Sequence, residues 1–504
     1  MNAATMTFAE APAAEPIPPK RVGRLRPTWL DAVVIAVILG AGLGHLNAPF
    51  GGDQFLFLIG AQKIVHHGVM YRDFWDLKQP LIYYLYALAG LLFGFTPTGV
   101  HLFEVIYQTL FAVVLIAACA MRFTQRWSAS VVPLLSIGAY YAFASNYALT
   151  SVEAFAGFPL FVCAVLTADA LSAARNVRRR AIIAGAAGAV AVALKLIFLP
   201  IVAALWLTLL GLTWRRGERG RALLVARLLG LGWAVPIALL AGYFARAGVL
   251  DVALRTAFID PPAILRNLTP GDRSPFWPLA RAFGRTMWPL LVLAVFAART
   301  VRRTPDRLSL ALIAWALVGG VLSVVEVWSY EYRFYIVIVP LGVLGARGLA
   351  ATWSFARERG TRMTVAYAGL VGIMLVASAV NVERAADRWR GWAADNARAV
   401  APGVAFLGRR AARSGAIYVF GDPRLYYFTR RDQAVPINGW SPQLLLPAQW
   451  HDLRTELAAA SPPYIFVESD DVQRVARSPE MLAFIAHSYA PQQRTAHGTW
   501  YARR

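Results

Sequence analysis

The chain has 504 residues, is 58% hydrophobic and carries 50 Lys+Arg against 28 Asp+Glu, a formal charge of +22. At a mean hydropathy of +0.50, it holds more apolar sequence than a soluble domain can bury beneath a polar surface, which excludes an ordinary soluble globule. The basic excess does not point to a nucleic-acid partner either. The arginines fall in short clusters between apolar blocks, at Arg175–Arg180, Arg215–Arg221, Arg299–Arg307 and Arg357–Arg362, as the positive-inside rule produces.

In chain order, residues 1–27 are rich in Ala and Pro and end in a basic run, Lys20, Arg21, Arg24 and Arg26. They read as a disordered cytoplasmic tail before an uncleaved first span, Trp29 to Leu46, since no small-residue cleavage site accompanies that apolar segment. A polar stretch, 51–80, leads to the apolar run Leu81–Phe95. Its 15 residues fall short of the roughly 20 that a crossing needs.

If this run stays on the outer face, spans follow at about 99–121, 128–145, 152–172, 181–194, 196–214, 222–245, 287–300, 308–327, 334–350 and 363–381. Every basic cluster then lies inside. If the run crosses, all of them move outside, so the first arrangement is expected, with Leu81–Phe95 lying on or dipping into the outer face. The stretch Ala181–Trp214 has basic flanks at both ends and reads as two tight spans turning near Lys195 and Pro200. Cys119 and Cys163 lie within apolar runs, as buried thiols without a disulfide framework.

The expected fold class is thus a polytopic α-helical membrane protein of about 11 spans, multi-pass in a bacterial inner membrane. Residues 28–381 form the membrane module, with a first periplasmic loop at 47–98. Residues 382–504 form a small periplasmic α/β domain, in which Ala416–Phe420 and Tyr464–Glu468 have strand length and Leu453–Ala460 is helix-like. Such alternation suggests a short parallel sheet. Gly421-Asp422 is either a tight turn or a ligand-binding strand end.

The densest polar cluster lies in the first outer loop: Gly51-Gly52-Asp53-Gln54, then Tyr71 to Pro80, then Tyr83, Tyr84 and Tyr86. Between them Phe55 to His67 has helical periodicity, closed by Gly68, and predicts a helix along the membrane surface with Asp53 at or near its N-terminus. There the carboxylate is either a helix cap or a functional group favoured by the helix dipole. A second carboxylate (Asp76), a cation (Lys78) and several tyrosines beside it favour function. A lipid phosphate would meet a cation at this depth, and tyrosines suit the interface. Glu153, Lys195 and Arg333 are either charges anchoring helix ends or further contacts. His66 and His67 have no partner cluster for a metal.

The segment GGDQFLFLIGAQKIVHHGVMYRDFWDLKQPLIYYLYALAGLLFG resembles the first outer loop of C-type-fold glycosyltransferases. It is most similar to the branch of the lipid A aminoarabinose transferases and protein O-mannosyltransferases. Thr150-Ser151-Val152-Glu153, Lys195, Arg333-Phe334-Tyr335 with Pro340, and the stretch Tyr418 to Tyr426 are weaker matches. Gln54 stands where family members often have a second acidic residue. Lys78-Gln79, with Asp76 further back, stand where the lipid A branch has an acidic residue and a Lys before Pro.

The resemblance implies a polyprenyl-phosphate sugar as donor, membrane lipid around it, and a periplasmic acceptor. Asp53 would be general base or acceptor-orienting group, and Lys78 the phosphate contact, helped by Arg333 or Lys195. Asp76, Tyr83 and Glu153 complete the implied substrate-binding set. A divalent metal stays open as cofactor, with no ligand assigned. The alternative is a transporter or flippase of lipid-linked saccharides, which would place charged residues in mid-span. Here the polar residues crowd the outer face.

Overall fold

The computed structural model describes residues 26–172, 175–269, 276–303, 305–325, 330–366, 368–369, 398, 400–408 and 414–504. The expected tail, most of the expected span at 363–381, and the boundary near 382 lie outside them.

The membrane module begins with α1 (Trp29–Leu43), α2 (Gly52–Val65), α3 (Leu81–Phe93) and α4 (Pro97–Ala120). A broken segment follows, α5 (Arg126–Pro133), a π turn (Leu134–Gly138) and α6 (Ala139–Phe143). Then come α7 (Val152–Ser172), α8 (Val177–Leu194), α9 (Leu199–Arg215) and α10 (Arg219–Arg246). Two short helices, α11 (Leu250–Leu254) and α12 (Asp260–Asn267), precede α13 (Phe276–Arg303), α14 (Arg307–Val325) and α15 (Ile338–Glu358).

Among the described residues seven helices are long and apolar enough to cross a membrane. α1 and α3 are apolar but shorter, about 22 Å and 20 Å at 1.5 Å per residue, against a hydrocarbon core of about 30 Å. α10 and α14 leave large apolar side chains exposed, among them Leu239 (71%) and Leu317 (66%). Such a surface is stable only against lipid. The protein is a multi-pass membrane protein.

Ion pairs reveal the order of crossings. Asp31, at the start of α1, takes Arg126 from the start of α5 at 2.5 Å. Arg122, just past α4, pairs with Asp169 near the end of α7. Arg307, opening α14, reaches Ser172 Oγ (2.9 Å) and Glu218 beside the start of α10 (3.4 Å). Gln125 bonds Ser354, late in α15, at 2.5 Å. All of these meet at one basic end of the bundle. Since α1 leaves that end and α4 returns to it, α2 and α3 together bring the chain to the start of α4 at the opposite end. The 181–214 stretch is broken at Lys195, as two helices rather than one.

α8 packs on both α7 and α10. A Cβ on Gly185 would run into the Leu229 carbonyl, and one on Gly232 into the Ile182 carbonyl, so each glycine admits the other helix's backbone. Gly185→Val is expected to cost about 3 kcal/mol or more, read as a lower melting temperature in detergent.

The C-terminal domain is a four-stranded sheet of order β1-β2-β4-β3, with β1 (Tyr418–Phe420), β2 (Tyr464–Glu468), β3 (Tyr489–Thr495) and β4 (Gly498–Arg503). Only β1 and β2 are parallel; β4 runs antiparallel to both β2 and β3. The two strands expected from the sequence, β1 and β2, are parallel as expected, and the antiparallel β3–β4 hairpin extends the sheet beyond them. β3 is an edge strand carrying Pro491, an irregular register and a mostly solvated face, so it lacks the apolar run that marks a buried strand. Gly421, at φ 139°, turns against the Glu468 side chain, which occupies the place a Cβ would take. Asp422 N–H donates to Glu468 Oε2 at 2.8 Å. Gly421-Asp422 is thus a closed turn.

Candidate active site around Asp53

Opposite the basic end, α2 starts at Gly52 with Gly51 as its cap residue, and Asp53 lies in the first turn. Asp53 does not cap the helix. Its Oδ1 takes Lys78 Nζ at 3.1 Å and the indole Nε1 of Trp440 at 2.8 Å. A third of the Asp53 side chain is exposed (33%), and Oδ2 has no partner among the described residues. Burial pushes this carboxyl up, but the Lys78 charge, the Trp440 hydrogen bond and the Lys195 charge more than offset it and hold it below the usual carboxylate range. It therefore stays ionised at neutral pH.

Lys78 also contacts Asp76 Oδ2 at 3.4 Å. Burial opposes the ammonium charge, and the two carboxylates more than restore it. Asp76 is nearly closed off: Leu77 N–H donates to its Oδ1 at 2.7 Å, and Tyr83 O–H to its Oδ2. Tyr83 is fully buried, packed edge-on against Phe57 and Phe74, so it stands behind Asp76 and holds it rather than facing open space. The 69–78 segment is shaped by Asp73, which accepts from Val69 N–H at 2.7 Å, and by Tyr71, at φ 73°. Tyr71 O–H in turn donates to the Lys78 carbonyl at 3.2 Å.

A second group adjoins the first. Lys195 Nζ meets Glu153 Oε1, at the start of α7, at 2.7 Å, and both line a narrow cleft with Arg333. The Arg333 guanidinium lies 5.7 Å over the Tyr330 ring. The groups are tied by Gln79, whose Oε1 accepts from Leu196 N–H at 3.1 Å. The structure thus gathers the seven residues singled out in the sequence, Asp53, Asp76, Lys78, Tyr83, Glu153, Lys195 and Arg333, at one end of the bundle.

Gln54 has a scaffold role. Its amide accepts from Gly51 N–H (2.5 Å) and donates to the carbonyls of Asn146 (2.8 Å) and Leu149 (2.6 Å). It joins Tyr86 on Thr150 Oγ1, while Thr150 N–H donates to the buried Glu104 of α4 at 2.9 Å. These bonds hold the turn that launches α7 and Glu153. Gln54→Ala orphans two buried carbonyls and is expected to destabilise the protein by about 3 kcal/mol, measurable by thermal unfolding in detergent.

Two features were not visible in the sequence. α2 does not lie on an open surface: Gln54 to Ala61 are all buried, with Phe55 against Tyr427 and Phe428 of the C-terminal domain. And Trp440, which carries no motif, reaches Asp53 from a distant loop. Among the described residues no group of three His, Cys, Asp or Glu has the arrangement to hold a metal.

No protein-family model matches the chain, and no curated protein matches it. Solved structures do. ArnT from Cupriavidus metallidurans bound to undecaprenyl phosphate superposes with a TM-score of 0.59 at 14% identity, over 94% of this chain and 97% of that one. The archaeal oligosaccharyltransferase AglB from Archaeoglobus fulgidus, in complex with an inhibitory peptide and a dolichol-phosphate, gives 0.52 at 12% identity, over 94% of this chain and 74% of that one. The chain has the C-type glycosyltransferase fold. At these identities the likeness is one of architecture, and the chemistry rests on the side chains described above.

Proposed function

We propose that this protein is a glycosyltransferase that moves a sugar from a polyprenyl-phosphate donor to an acceptor on the periplasmic face of a bacterial inner membrane. The acceptor on this reading is a cell-envelope glycolipid or polysaccharide. The observation that carries the proposal is Asp53: an ionised carboxylate with one oxygen held by Lys78 and Trp440 and the other without a partner among the described residues. The solved neighbours bind undecaprenyl phosphate and a dolichol-phosphate, which supports a lipid-phosphate donor.

The chemistry follows from the groups at hand. An acceptor O–H or N–H approaches the anomeric carbon from the side opposite the phosphate. As the new bond forms, Asp53 Oδ2 takes the proton, and the bond from C1 to the phosphate oxygen breaks with inversion. The electron pair leaves on the polyprenyl phosphate, whose growing charge Lys78 stabilises, with Lys195 and Arg333 within the same region. Asp76 and Tyr83 hold Lys78 in place, and Glu153 does the same for Lys195.

Binding of polyprenyl phosphate to the purified protein in nanodiscs, followed by native mass spectrometry, tests the donor assignment. Saturable binding, weakened by Lys195→Ala together with Arg333→Ala by about tenfold or more, is the expected result. Binding indifferent to both substitutions would remove the cleft from the donor site.

A further inference from the structure

The C-terminal domain reaches Asp53 through one short strap, residues 436–440, and that strap is fastened along its length. Trp75 N–H donates to the Pro436 carbonyl at 2.9 Å, and Asn438 Nδ2 donates to the Trp75 carbonyl at 2.8 Å. Asn438 Oδ1 accepts from Trp440 N–H at 3.0 Å, and Gly421 N–H, at the end of β1, donates to the Gly439 carbonyl at 3.1 Å. Trp75 is itself held by Thr256, to which its indole N–H donates at 3.1 Å. The far edge of the Trp440 ring lies over Gly52, where a Cβ would collide with it. The position of this indole is therefore set by the first loop and by the sheet together.

We propose that Trp440 is a positioning residue for sugar transfer, holding Asp53 by Oδ1 so that Oδ2 alone faces the acceptor. This rests on Asp53 being the base. An indole N–H only donates, so it favours the ionised carboxylate and cannot compete for the acceptor's proton. Lys78 occupies the same oxygen, and the two donors together fix the carboxylate plane. Preorganisation of this kind places the reacting oxygen before the acceptor arrives. The C-terminal domain is on this account part of the catalytic apparatus and not only a cover.

The charged and titratable groups around Asp53 among the described residues include Lys78, Asp76 across Lys78, Lys195, Tyr83, Tyr86, Tyr330, Tyr332 and, just past β1, Asp422. None of them is altered by Trp440→Phe, which keeps an aromatic side chain in the strap and removes the N–H. Loss of that donor raises the Asp53 pKa, so the acid limb of kcat/KM moves to higher pH.

Wild type, Trp440→Phe, Gly52→Ala and Asp53→Asn are compared in nanodiscs with a polyprenyl-phosphate sugar as donor. Trp440→Phe is expected to lower kcat by about 10- to 100-fold, to leave the donor KM unchanged and to shift the acid limb upward. Gly52→Ala, which pushes the indole off Asp53, is expected to give the same pattern and stands in if the Phe variant does not fold. An unmoved acid limb and a rate within twofold of wild type overturn the proposal. If Asp53→Asn abolishes transfer in that case, only the strap's role has failed. If Asp53→Asn also transfers normally, the base assignment beneath it has failed too.

Discussion

Asp53→Asn is expected to lower sugar transfer by roughly 10²- to 10⁴-fold, the usual worth of general-base assistance, while the protein folds and binds donor as before. The amide keeps the size of the carboxylate. Its oxygen can still accept from Trp440, and Lys78 keeps Asp76 as its partner at 3.4 Å. What disappears is the proton acceptor. The cost to folding is small: a third of this side chain is exposed, and one charge in the first turn of a helix contributes only about 0.3–1 kcal/mol. The pH dependence carries the sign. Because Lys78 and Trp440 hold the wild-type carboxyl below its usual range, its protonation does not limit the rate near neutrality, and activity falls only as the medium becomes strongly acidic. A variant with near-normal kcat would remove Asp53 from the chemistry, whatever the role of the surrounding groups.

Lys78→Met is expected to be nearly as damaging, lowering kcat/KM by about 10²- to 10³-fold, the scale of removing one preorganised charge from a developing anion. The substitution keeps the length of the side chain and takes away the cation that contacts both Asp53 and Asp76. Two consequences follow. The leaving phosphate loses its contact, and the two carboxylates face each other without a shared counter-charge. Repulsion then raises the Asp53 pKa, so residual activity should climb with pH over a range where the wild type is flat. Lys78→Arg restores the charge but not the point geometry shared by two carboxylates, and should recover part of the rate. Equal donor affinity and an unchanged pH profile in Lys78→Met would contradict the assignment.

Much of this site is written in the first outer loop. The run from Gly51 to Pro80 concentrates acid, base and tyrosines in a chain that is otherwise apolar, and the basic clusters fix which end of the bundle it occupies. The pairs Asp31–Arg126 and Arg307–Glu218 are the physical counterpart of that charge pattern. Lys195 and Glu153 were legible as charges at span ends, but their pairing across 42 residues was not, because an ion pair between two helices leaves no local signal. The burial of α2 was hidden for a related reason. Its periodicity describes one apolar face, and the face that meets Tyr427 and Phe428 is covered by a domain more than 300 residues away. Trp440 sits in a loop with no periodicity at all, and only the closure of that domain over Gly52 gives it meaning. The β3–β4 hairpin was missed because its polar edge strand looks like a solvated loop.

Sugar transfer is measured with labelled polyprenyl-phosphate donors and the purified protein in nanodiscs, with envelope glycolipid and polysaccharide as acceptors and Asp53→Asn as the paired control. Wild type is expected to move label to an acceptor and release polyprenyl phosphate in equal amount, and Asp53→Asn to do neither. Donors left intact by wild type across the sugar panel, or equal transfer by both proteins, would contradict that expectation.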